Sequence, residues 1–277
     1  LGRYLNTAPS SFIYKMLRKK NITLNDRKAT GKEILEINDC VKIFLSDDTW
    51  EKFSTVKFGN KVNESKLSAY QNIPPLKKDQ IIYEDEHILI LNKPTGMLSQ
   101  KAQPKDISMN EQMISYLCHT GQITVEELQT FKPAVCNRLD RNTSGLLLAG
   151  KSLTGLQVLA DMLKTRSMHK YYTTLVAGQI TQPCRIEGYL QKDETTNKVT
   201  IFKEEVPDAK RIITEYRPIK QLKNATVLEV LLVTGRSHQI RVQFASRKMP
   251  LFGDGKYGAQ DHEKTLGLFS HRLTFPH

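Results

Sequence analysis

The chain has 277 residues, of which 39% are hydrophobic, so it can form one large domain with a buried core and a smaller second domain. Its net charge of +12 favours a polyanionic partner, with nucleic acid as the first candidate. No apolar run approaches the roughly 20 residues of a membrane-spanning helix, and no secretory signal pattern is present. The widely spaced cysteines indicate neither disulfides nor a zinc site. We therefore expect a cytoplasmic protein without membrane contact.

Residues 1 to about 50 are predicted to form a compact module that begins with a basic helix. Ser10 suits a helix N-cap, and residues 12–20 place their apolar side chains on one stripe and most of their basic side chains on the other face. Short strands at residues 22–24 and 41–45, with a turn at 25–26, would complete a small sheet.

A basic helix before a short sheet resembles the S4 RNA-binding domain, and this resemblance implies RNA contacts by Lys15, Arg18 and Lys19. The alternative is that the basic cluster is only a solvated helix end that complements the helix dipole.

Residues 51–77 are polar, end in two prolines, and are predicted to be a partly extended linker. The second domain, residues 78–277, would start with a hairpin of strands at 81–83 and 87–91. The Lys-Pro-x-Gly sequence that follows at 93–96 is interpreted as a tight turn that supports a neighbouring loop, since proline fixes φ and glycine permits positive φ. A helix is expected near residues 108–119.

A charged loop at residues 137–145, Asn-Arg-Leu-Asp-Arg-Asn-Thr-Ser-Gly, leads directly into the apolar strand 146–150. Asp140 lies between Arg138 and Arg141, and nearby positive charge favours an ionised carboxylate. Such a carboxylate can be a nucleophile, a base or a metal ligand, or simply a salt-bridged residue in a turn.

The same string resembles the RLDxxTSG signature of the RluA-type pseudouridine synthases. In that family the aspartate is the catalytic nucleophile, which corresponds to Asp140 here. The resemblance also makes Arg138 and Arg141 candidate RNA contacts, with Arg138 placed to occupy the space that a flipped-out base leaves. Family members usually carry histidine where this chain has Asn137.

Serine at position 152 is expected to cap a helix through about residue 166, with Leu153, Leu156, Ala160 and Leu163 on one face. Residues 170–178 are predicted to form a strand whose Lys-x-Tyr sequence resembles the family's tyrosine motif. This resemblance makes Tyr172 the active-site tyrosine, able to stack on uracil, whereas an isolated strand tyrosine would be a core residue.

Further strands are predicted at 185–190, 197–203, 210–219 and 225–233, and residues 268–275 resemble the closing strand of the family. Because crossover helices are few, the sheet is expected to be mixed and largely antiparallel. The predicted fold class is therefore α+β, a pseudouridine synthase catalytic domain preceded by a small α/β S4-like domain.

A second motif, Thr-Gly-Arg-Ser-His-Gln-Ile-Arg at 234–241, is predicted to break a strand at Gly235 and start a helix at Ser237. It resembles the family's TGRxHQxR motif, whose final arginine pairs with the catalytic carboxylate and corresponds to Arg241. Arg236 is interpreted as a phosphate contact or a surface ion pair. His238 is grouped with the RNA contacts and is expected to make a helix-start hydrogen bond rather than to perform acid–base work. The Gly-Asp-x-x-Tyr-Gly turn at 253–258 is interpreted as structural.

The resemblance implies an RNA pseudouridine synthase that isomerises uridines, most directly in 23S rRNA or a large-subunit precursor. It needs no cofactor and no metal, and we expect it to act as a monomer. Three alternatives remain open: a tRNA-directed synthase, a non-catalytic RNA-binding or ribosome-assembly factor of the same fold, and a carboxylate hydrolase. The last lacks a second carboxylate in the motif that holds Asp140.

Overall fold

The computed structural model describes residues 1–54, 70, 72–193, 199–261 and 263–276. The chain divides into two compact units, Leu1–Ala69 with Gly121–Lys132, and Tyr70–Thr120 with Pro133–His277. The predicted linker at 51–77 falls largely on residues 55–69 and 71, which lie outside the described residues. Its first residues, 51–53, are the end of a helix.

The helices and strands follow one another along the chain through both units. The first part contains α1 (Ser10–Arg18), β1 (Ile22–Leu24), β2 (Arg27–Lys28), β3 (Val41–Ile43) and α2 (Asp47–Phe53). The middle contains β4 (Ile81–Glu84), β5 (Ile88–Lys93), α3 (Met109–His119), α4 (Val125–Thr130), β6 (Ala134–Val135), β7 (Ser144–Gly150), α5 (Leu153–Thr165) and β8 (His169–Ala177). The last part contains β9 (Cys184–Lys192), β10 (Val199–Phe202), β11 (Lys210–Gln221), β12 (Ala225–Leu232), α6 (Gln239–Ala245) and β13 (Leu268–Thr274).

The first unit packs α1 on a small antiparallel sheet of order β2-β1-β3. Its core consists of Leu5, Leu17, Ile22 and Ala29. The predicted turn at Asn25–Asp26 is confirmed, with φ of 49° and 62° at the two residues. The expected serine cap is wrong, because Pro9 occupies the N-cap position and the helix makes no side-chain capping hydrogen bond.

The second unit is built on a ten-stranded sheet of order β10-β9-β11-β12-β8-β13-β7-β5-β4, with β6 on β7. Among the described strands, β13 and β7 run parallel and the other neighbours pair antiparallel. The predicted α+β fold with a mixed, largely antiparallel sheet is therefore confirmed.

The insertion of β13 between β7 and β8 brings two distant stretches of the chain together. Gly145 lies opposite Ser270 in the parallel pair and has a φ of 109°. A Cβ at this position would lie 2.2 Å from the carbonyl oxygen of Ser270, so a larger residue would force the strands apart. This close approach places the loop before β7 beside the start of β8.

The predicted apolar face of α5 is only partly buried. Gly155 and Leu159 are buried and Leu156 and Leu163 are partly buried, whereas Leu153 and Ala160 are exposed. The helix is turned because Gly155 lies against the backbone of His87, where a Cβ would be 2.2 Å from the carbonyl oxygen. The expected cap of α5 is confirmed, since the Ser152 side chain accepts a hydrogen bond from the Gly155 amide.

The helix α6 begins at Gln239 instead of Ser237, and His238 precedes it with a φ of 55°. Among the described helices of the whole chain, none has both the length and the apolar character that crossing a membrane requires.

Candidate active site

An open cleft of about 870 Å³ in the second unit collects most of the predicted site residues. Its walls come from the loop before β7, the start of β8, and the segment between β12 and α6. Of the predicted residues, it brings together Asp140, Tyr172, Arg241, Arg138, Arg141, Arg236 and His238. The remaining three, Lys15, Arg18 and Lys19, are exposed on α1 in the first unit. A larger cavity of about 1600 Å³ lies among the core side chains of that first unit and contains none of these groups.

Asp140 lies at the bottom of the cleft with its side chain 28% exposed. Arg241 Nη1 donates to Asp140 Oδ2 at 3.1 Å, and His238 Nε2 lies 3.7 Å from the same oxygen. The ion-pair partner of Asp140 is Arg241, as the family resemblance implied, whereas within the described chain neither of the adjacent arginines, Arg138 and Arg141, forms an ion pair with Asp140, and both are exposed. The positive charge that faces the carboxylate therefore comes from a residue 101 positions away in the sequence.

Arg241 is buried and holds two carboxylates at once. Its Nε and Nη2 donate to the two oxygens of Asp254 at 2.8 and 2.7 Å, while Nη1 serves Asp140. Burial opposes the charge of Arg241 most strongly, yet the hydrogen bond and charge of Asp254, followed by those of Asp140, raise its pKa. The guanidinium is therefore a permanent cation with a fixed orientation.

Lys93 ties the loop of Asp140 to the Lys-Pro-x-Gly turn. It is fully buried, and its Nζ donates to the carbonyl oxygens of Pro94, Met97 and Arg141 at 2.9, 2.7 and 2.9 Å. Burial lowers its pKa to about 8, although the charge of Asp140 works in the opposite direction. The interpretation of this turn as a support for the neighbouring loop is confirmed by these contacts.

Further hydrogen bonds hold the same loop from the same side. Ser99 Oγ donates to the carbonyl of Leu139 at 2.9 Å and accepts from its amide at 3.0 Å. Thr95 Oγ1 donates to the carbonyl of Asn142 at 3.0 Å. With its backbone held at three points, the loop presents Asp140 with little freedom to turn away.

Asn137, which replaces the family's usual histidine, is buried beneath the loop. Its Oδ1 accepts from the amide of Leu148 at 2.8 Å, and its Nδ2 donates to the carbonyl of Leu146 at 3.4 Å. The side chain therefore pairs with β7 as another strand would, and the substitution bears on loop anchoring and not on a surface contact.

Tyr172 is buried in the wall of the cleft close to Asp140. Burial, and then the negative charge of Asp140, raise its pKa well above the usual range of a phenol. The side chain is thus neutral at physiological pH and offers a ring face and a hydroxyl. Tyr171 points to the opposite face of the sheet, where Arg272 covers its ring at 3.8 Å, as strand alternation predicted.

His238 has a different partner from the one that was expected. It forms no capping hydrogen bond with α6, and its Nδ1 lies 2.7 Å from the hydroxyl oxygen of Tyr257. Burial is the main cause that lowers the pKa of His238, against the raising effect of Asp140.

The family model described as RNA pseudouridylate synthase matches residues 87–246, more than half of the chain. The chain belongs to this family. It is accordingly an RNA pseudouridine synthase, an isomerase, and all residues that line the cleft of Asp140, apart from Leu268, lie within the matched region.

Curated relatives cover almost the whole enzyme. The ribosomal large subunit pseudouridine synthase C of Vibrio vulnificus (strain CMCP6) is 28% identical over 291 residues, which are 100% of this chain and 83% of the relative. The same-named protein of Escherichia coli (strain K12) is 29% identical, over 96% of this chain and 77% of the relative. The ribosomal large subunit pseudouridine synthase D of Borreliella burgdorferi is 28% identical, over 99% and 81% respectively.

Solved structures share the fold at low sequence identity. Human RNA Pseudouridylate Synthase Domain Containing 4 superposes with a TM-score of 0.59 at 15% identity, over 78% of the enzyme and 89% of that chain. Human RNA Pseudouridylate Synthase Domain Containing 1 superposes with a TM-score of 0.58 at 20% identity, over 74% of the enzyme and 82% of that chain. Both confirm the architecture of the catalytic unit.

The cleft of the enzyme is strongly basic. Asp140 is the one carboxylate among the described residues that line it. Besides Arg241, the cations of the lining are Lys101, Arg138, Arg141, Lys164, Arg166, Lys170, Lys192 and Arg236. Such a surface attracts a polyanion and positions its phosphates.

Sequence reasoning missed Lys93, Asp254 and Tyr257 as parts of the site. Asp254 and Tyr257 belong to the Gly-Asp-x-x-Tyr-Gly turn, which was interpreted as purely structural. The signal that could have found them is a charged and a phenolic side chain within a short turn of small residues. In the part of the chain that is described, no three His, Cys, Asp or Glu side chains come together as metal ligands would.

Proposed function

We propose that the enzyme isomerises uridines of the large-subunit rRNA, 23S rRNA or its precursor, with Asp140 as the nucleophile. One observation carries this proposal: Asp140 is held by a buried arginine at the bottom of a basic cleft, beside a buried tyrosine. The names of the curated relatives, all ribosomal large subunit pseudouridine synthases, support large-subunit rRNA as the substrate.

The reaction needs an ionised carboxylate and no further reagent. Asp140 attacks C1′, the N1–C1′ bond breaks, and uracil leaves with the bonding electrons. After rotation of the uracil, C5 bonds to C1′, the carboxylate leaves, C5 loses its proton and N1 gains one. Two other routes, a glycal formed by loss of a ribose proton and an addition of the carboxylate to C6, need the same ionised group. Arg241 stabilises that group in all three.

In this proposal Tyr172 and Arg138 would stabilise the flipped-out uridine and the helix that it leaves. The neutral ring of Tyr172 can stack on the uracil that has left its helix. Arg138 is exposed on the rim next to the nucleophile, and its planar guanidinium can fill the vacated stack. Arg141, Arg236 and His238 would contact the neighbouring RNA.

The first unit is proposed to be an S4-like RNA-binding domain. Its helix α1 carries Lys15, Arg18 and Lys19 on the solvent side, while Leu17 is buried against the sheet. Three cations in solvent add phosphate contacts outside the cleft. We further propose that the enzyme acts as a monomer in the cytoplasm.

A hydrolase mechanism with two carboxylates fits this site poorly. Glycosidases place two carboxyl groups about 5–9.5 Å apart, both open to the substrate. The carboxylate that shares Arg241 with Asp140 is Asp254, whose side chain is 1% exposed and whose two oxygens are both bound. It has no access to a sugar or to water.

Tritium release from RNA labelled at uridine C5 tests the proposal, because bond formation at C5 expels that hydrogen. We expect release from 23S rRNA transcripts with the wild type and none with Asp140→Ala. Release from a tRNA pool but not from 23S transcripts would replace the substrate assignment. No release from either RNA, despite tight binding, would favour a non-catalytic ribosome-assembly factor.

A further inference from the structure

The two oxygens of Asp140 are treated differently by the protein. Arg241 Nη1 and His238 Nε2 both approach Oδ2, at 3.1 and 3.7 Å. In the described part of the chain, no hydrogen-bond donor or cation pairs with Oδ1. One oxygen is therefore oriented by the protein, and the other is left for the substrate.

The ring of His238 is oriented from its far side by Tyr257. The Tyr257 hydroxyl oxygen lies 2.7 Å from His238 Nδ1, and the two rings meet edge to face with centroids 5.6 Å apart. Burial, chiefly, raises the pKa of Tyr257 to about 12, so the phenol keeps its proton at neutral pH and can donate it. If Nδ1 accepts this hydrogen bond, the single ring proton of a neutral histidine resides on Nε2 and faces Asp140.

The charges around His238 favour the same tautomer. The ring faces the carboxylates of Asp140 and Asp254, the guanidinium of Arg241 and the ammonium of Lys256. Burial and the two cations keep the ring neutral, whereas the negative charge of Asp140 favours the tautomer whose N–H points towards it. The opposite tautomer would place the Nε2 lone pair against an anion.

We propose that Tyr257 and His238 are positioning residues which, together with Arg241, orient Oδ2 of Asp140 and so assign Oδ1 as the reacting oxygen. The proposal rests on the function proposed above, since it deepens the role of Asp140. In this account both residues act on the reacting uridine only through Asp140, and any RNA contact of His238 is with a neighbouring nucleotide. The distance of 3.7 Å between His238 Nε2 and Asp140 Oδ2 is longer than a hydrogen bond. In the free enzyme the ring therefore acts on the carboxylate through its N–H dipole, and substrate binding shortens the contact.

Nitrogen NMR of the histidine side chains in the free enzyme tests the tautomer without any RNA. We expect His238, identified by the signal lost in His238→Gln, to carry its proton on Nε2, and Tyr257→Phe to produce a mixture of both tautomers. A proton on Nδ1 in the wild type would overturn the proposal. This readout is independent of which RNA the enzyme modifies, so it separates a failure of this inference from a failure of the proposed function.

Single-turnover tritium release measures the consequence. We expect Tyr257→Phe to lower the rate about tenfold, in the range of one positioned hydrogen bond, with RNA affinity changed less than about twofold. His238→Gln keeps an N–H near the position of Nε2 and should recover more of the rate than His238→Ala. Equal rates for these two variants, both near wild type, would contradict the proposal.

Tyr83→Phe is the matched control. It removes a phenolic hydrogen bond of 2.9 Å to Asp85, outside the cleft, and should leave the rate and the His238 signal unchanged. A loss of rate in this control as large as in Tyr257→Phe would show that the effect is a general loss of a tyrosine hydroxyl, and would overturn the assignment.

Discussion

Two loops each place one carboxylate against Arg241, and the two carboxylates differ in how they bind it. The loop after α6 supplies Asp254, whose side chain is 1% exposed and makes two hydrogen bonds of 2.7 and 2.8 Å to Arg241. The loop before β7 supplies Asp140, which is 28% exposed and makes one hydrogen bond of 3.1 Å. Arg241 thus binds both oxygens of Asp254 but only one oxygen of Asp140.

The difference separates stability from chemistry. Asp254 neutralises the buried guanidinium and fixes its plane, as a buried ion pair does when both partners are hydrogen-bonded. Asp140 receives the remaining donor and keeps an oxygen free. Asp254 therefore supports Asp140 through Arg241, without touching it, and neither Arg241 nor Asp254 lies close to Asp140 in the sequence.

The largest effect on stability is expected for Asp254→Asn. It leaves the buried Arg241 with one exposed partner, and removal of one partner of a buried pair costs about 3 kcal/mol or more of the free energy of unfolding. Turnover should fall but persist, because Asp140 is intact. Denaturant unfolding measures the change.

Glu187→Gln is the control for Asp254→Asn. Glu187 pairs with Arg185 and Arg211 on the exposed sheet, where solvent screening leaves ion pairs little effect on stability. Equal losses of stability in the two variants would remove the distinction between the buried pair and the exposed one.

Lys93 should make stability depend on pH in the alkaline range. Its folded pKa, about 8, lies below the ordinary value of 10.5, so between these values the unfolded chain binds more protons than the folded one. The free energy of unfolding of the wild type should therefore rise with pH relative to Lys93→Met, by up to about 1.4 kcal/mol per unit. Turnover should fall over the same range, since a neutral amine has fewer hydrogens for three carbonyls. A pH-independent difference between the two proteins would contradict this role.

Tyr172→Phe tests which part of this side chain acts next to Asp140. The ring is retained, so RNA affinity should stay within about twofold of wild type, while Tyr172→Ala should lose about 1–3 kcal/mol of stacking. A fluorescence binding titration with the same RNA measures both. Weak binding by Tyr172→Phe would instead assign the hydroxyl a role in recognition.

The smallest effect on chemistry is expected for the basic residues at α1 in the first unit. Replacing Lys15, Arg18 and Lys19 with glutamine should weaken binding to 23S transcripts and reduce the salt dependence of log K by about 2–3, if each cation contacts a phosphate. The rate at saturating RNA should not change. A rate loss with unchanged salt dependence would mean that α1 supports the structure and does not bind RNA.

Much of the fold could be predicted because strand alternation and apolar runs are local signals. β8, β11 and β12 were predicted in this way, and the loop of Asp140 was found from its motif. The partner of Asp140 was not found from the residues themselves: the adjacent Arg138 and Arg141 suggested a local ion pair, and the pairing with Arg241 was expected only from family resemblance. Sequence proximity says little about where a long side chain points.

Other features depend on tertiary packing that no local pattern encodes. Lysine is ordinarily exposed, so nothing in the sequence around Lys93 indicates a fully buried ammonium with three carbonyl partners. The contact of Gly155 with the backbone of His87 decides which leucines of α5 are buried, so that Leu159 is buried and Leu153 is exposed. The bond between Asp254 and Arg241 depends on how the turn folds back onto α6.

The most direct test of this division is the single-turnover rate of Asp140→Asn on a 23S transcript that the wild type modifies, with enzyme in excess. The substitution keeps shape and removes the charge, so we expect binding within about threefold of wild type and a rate at least about a thousandfold lower, in keeping with loss of a nucleophile. A rate within about tenfold of wild type would show that Asp140 is not the reacting group.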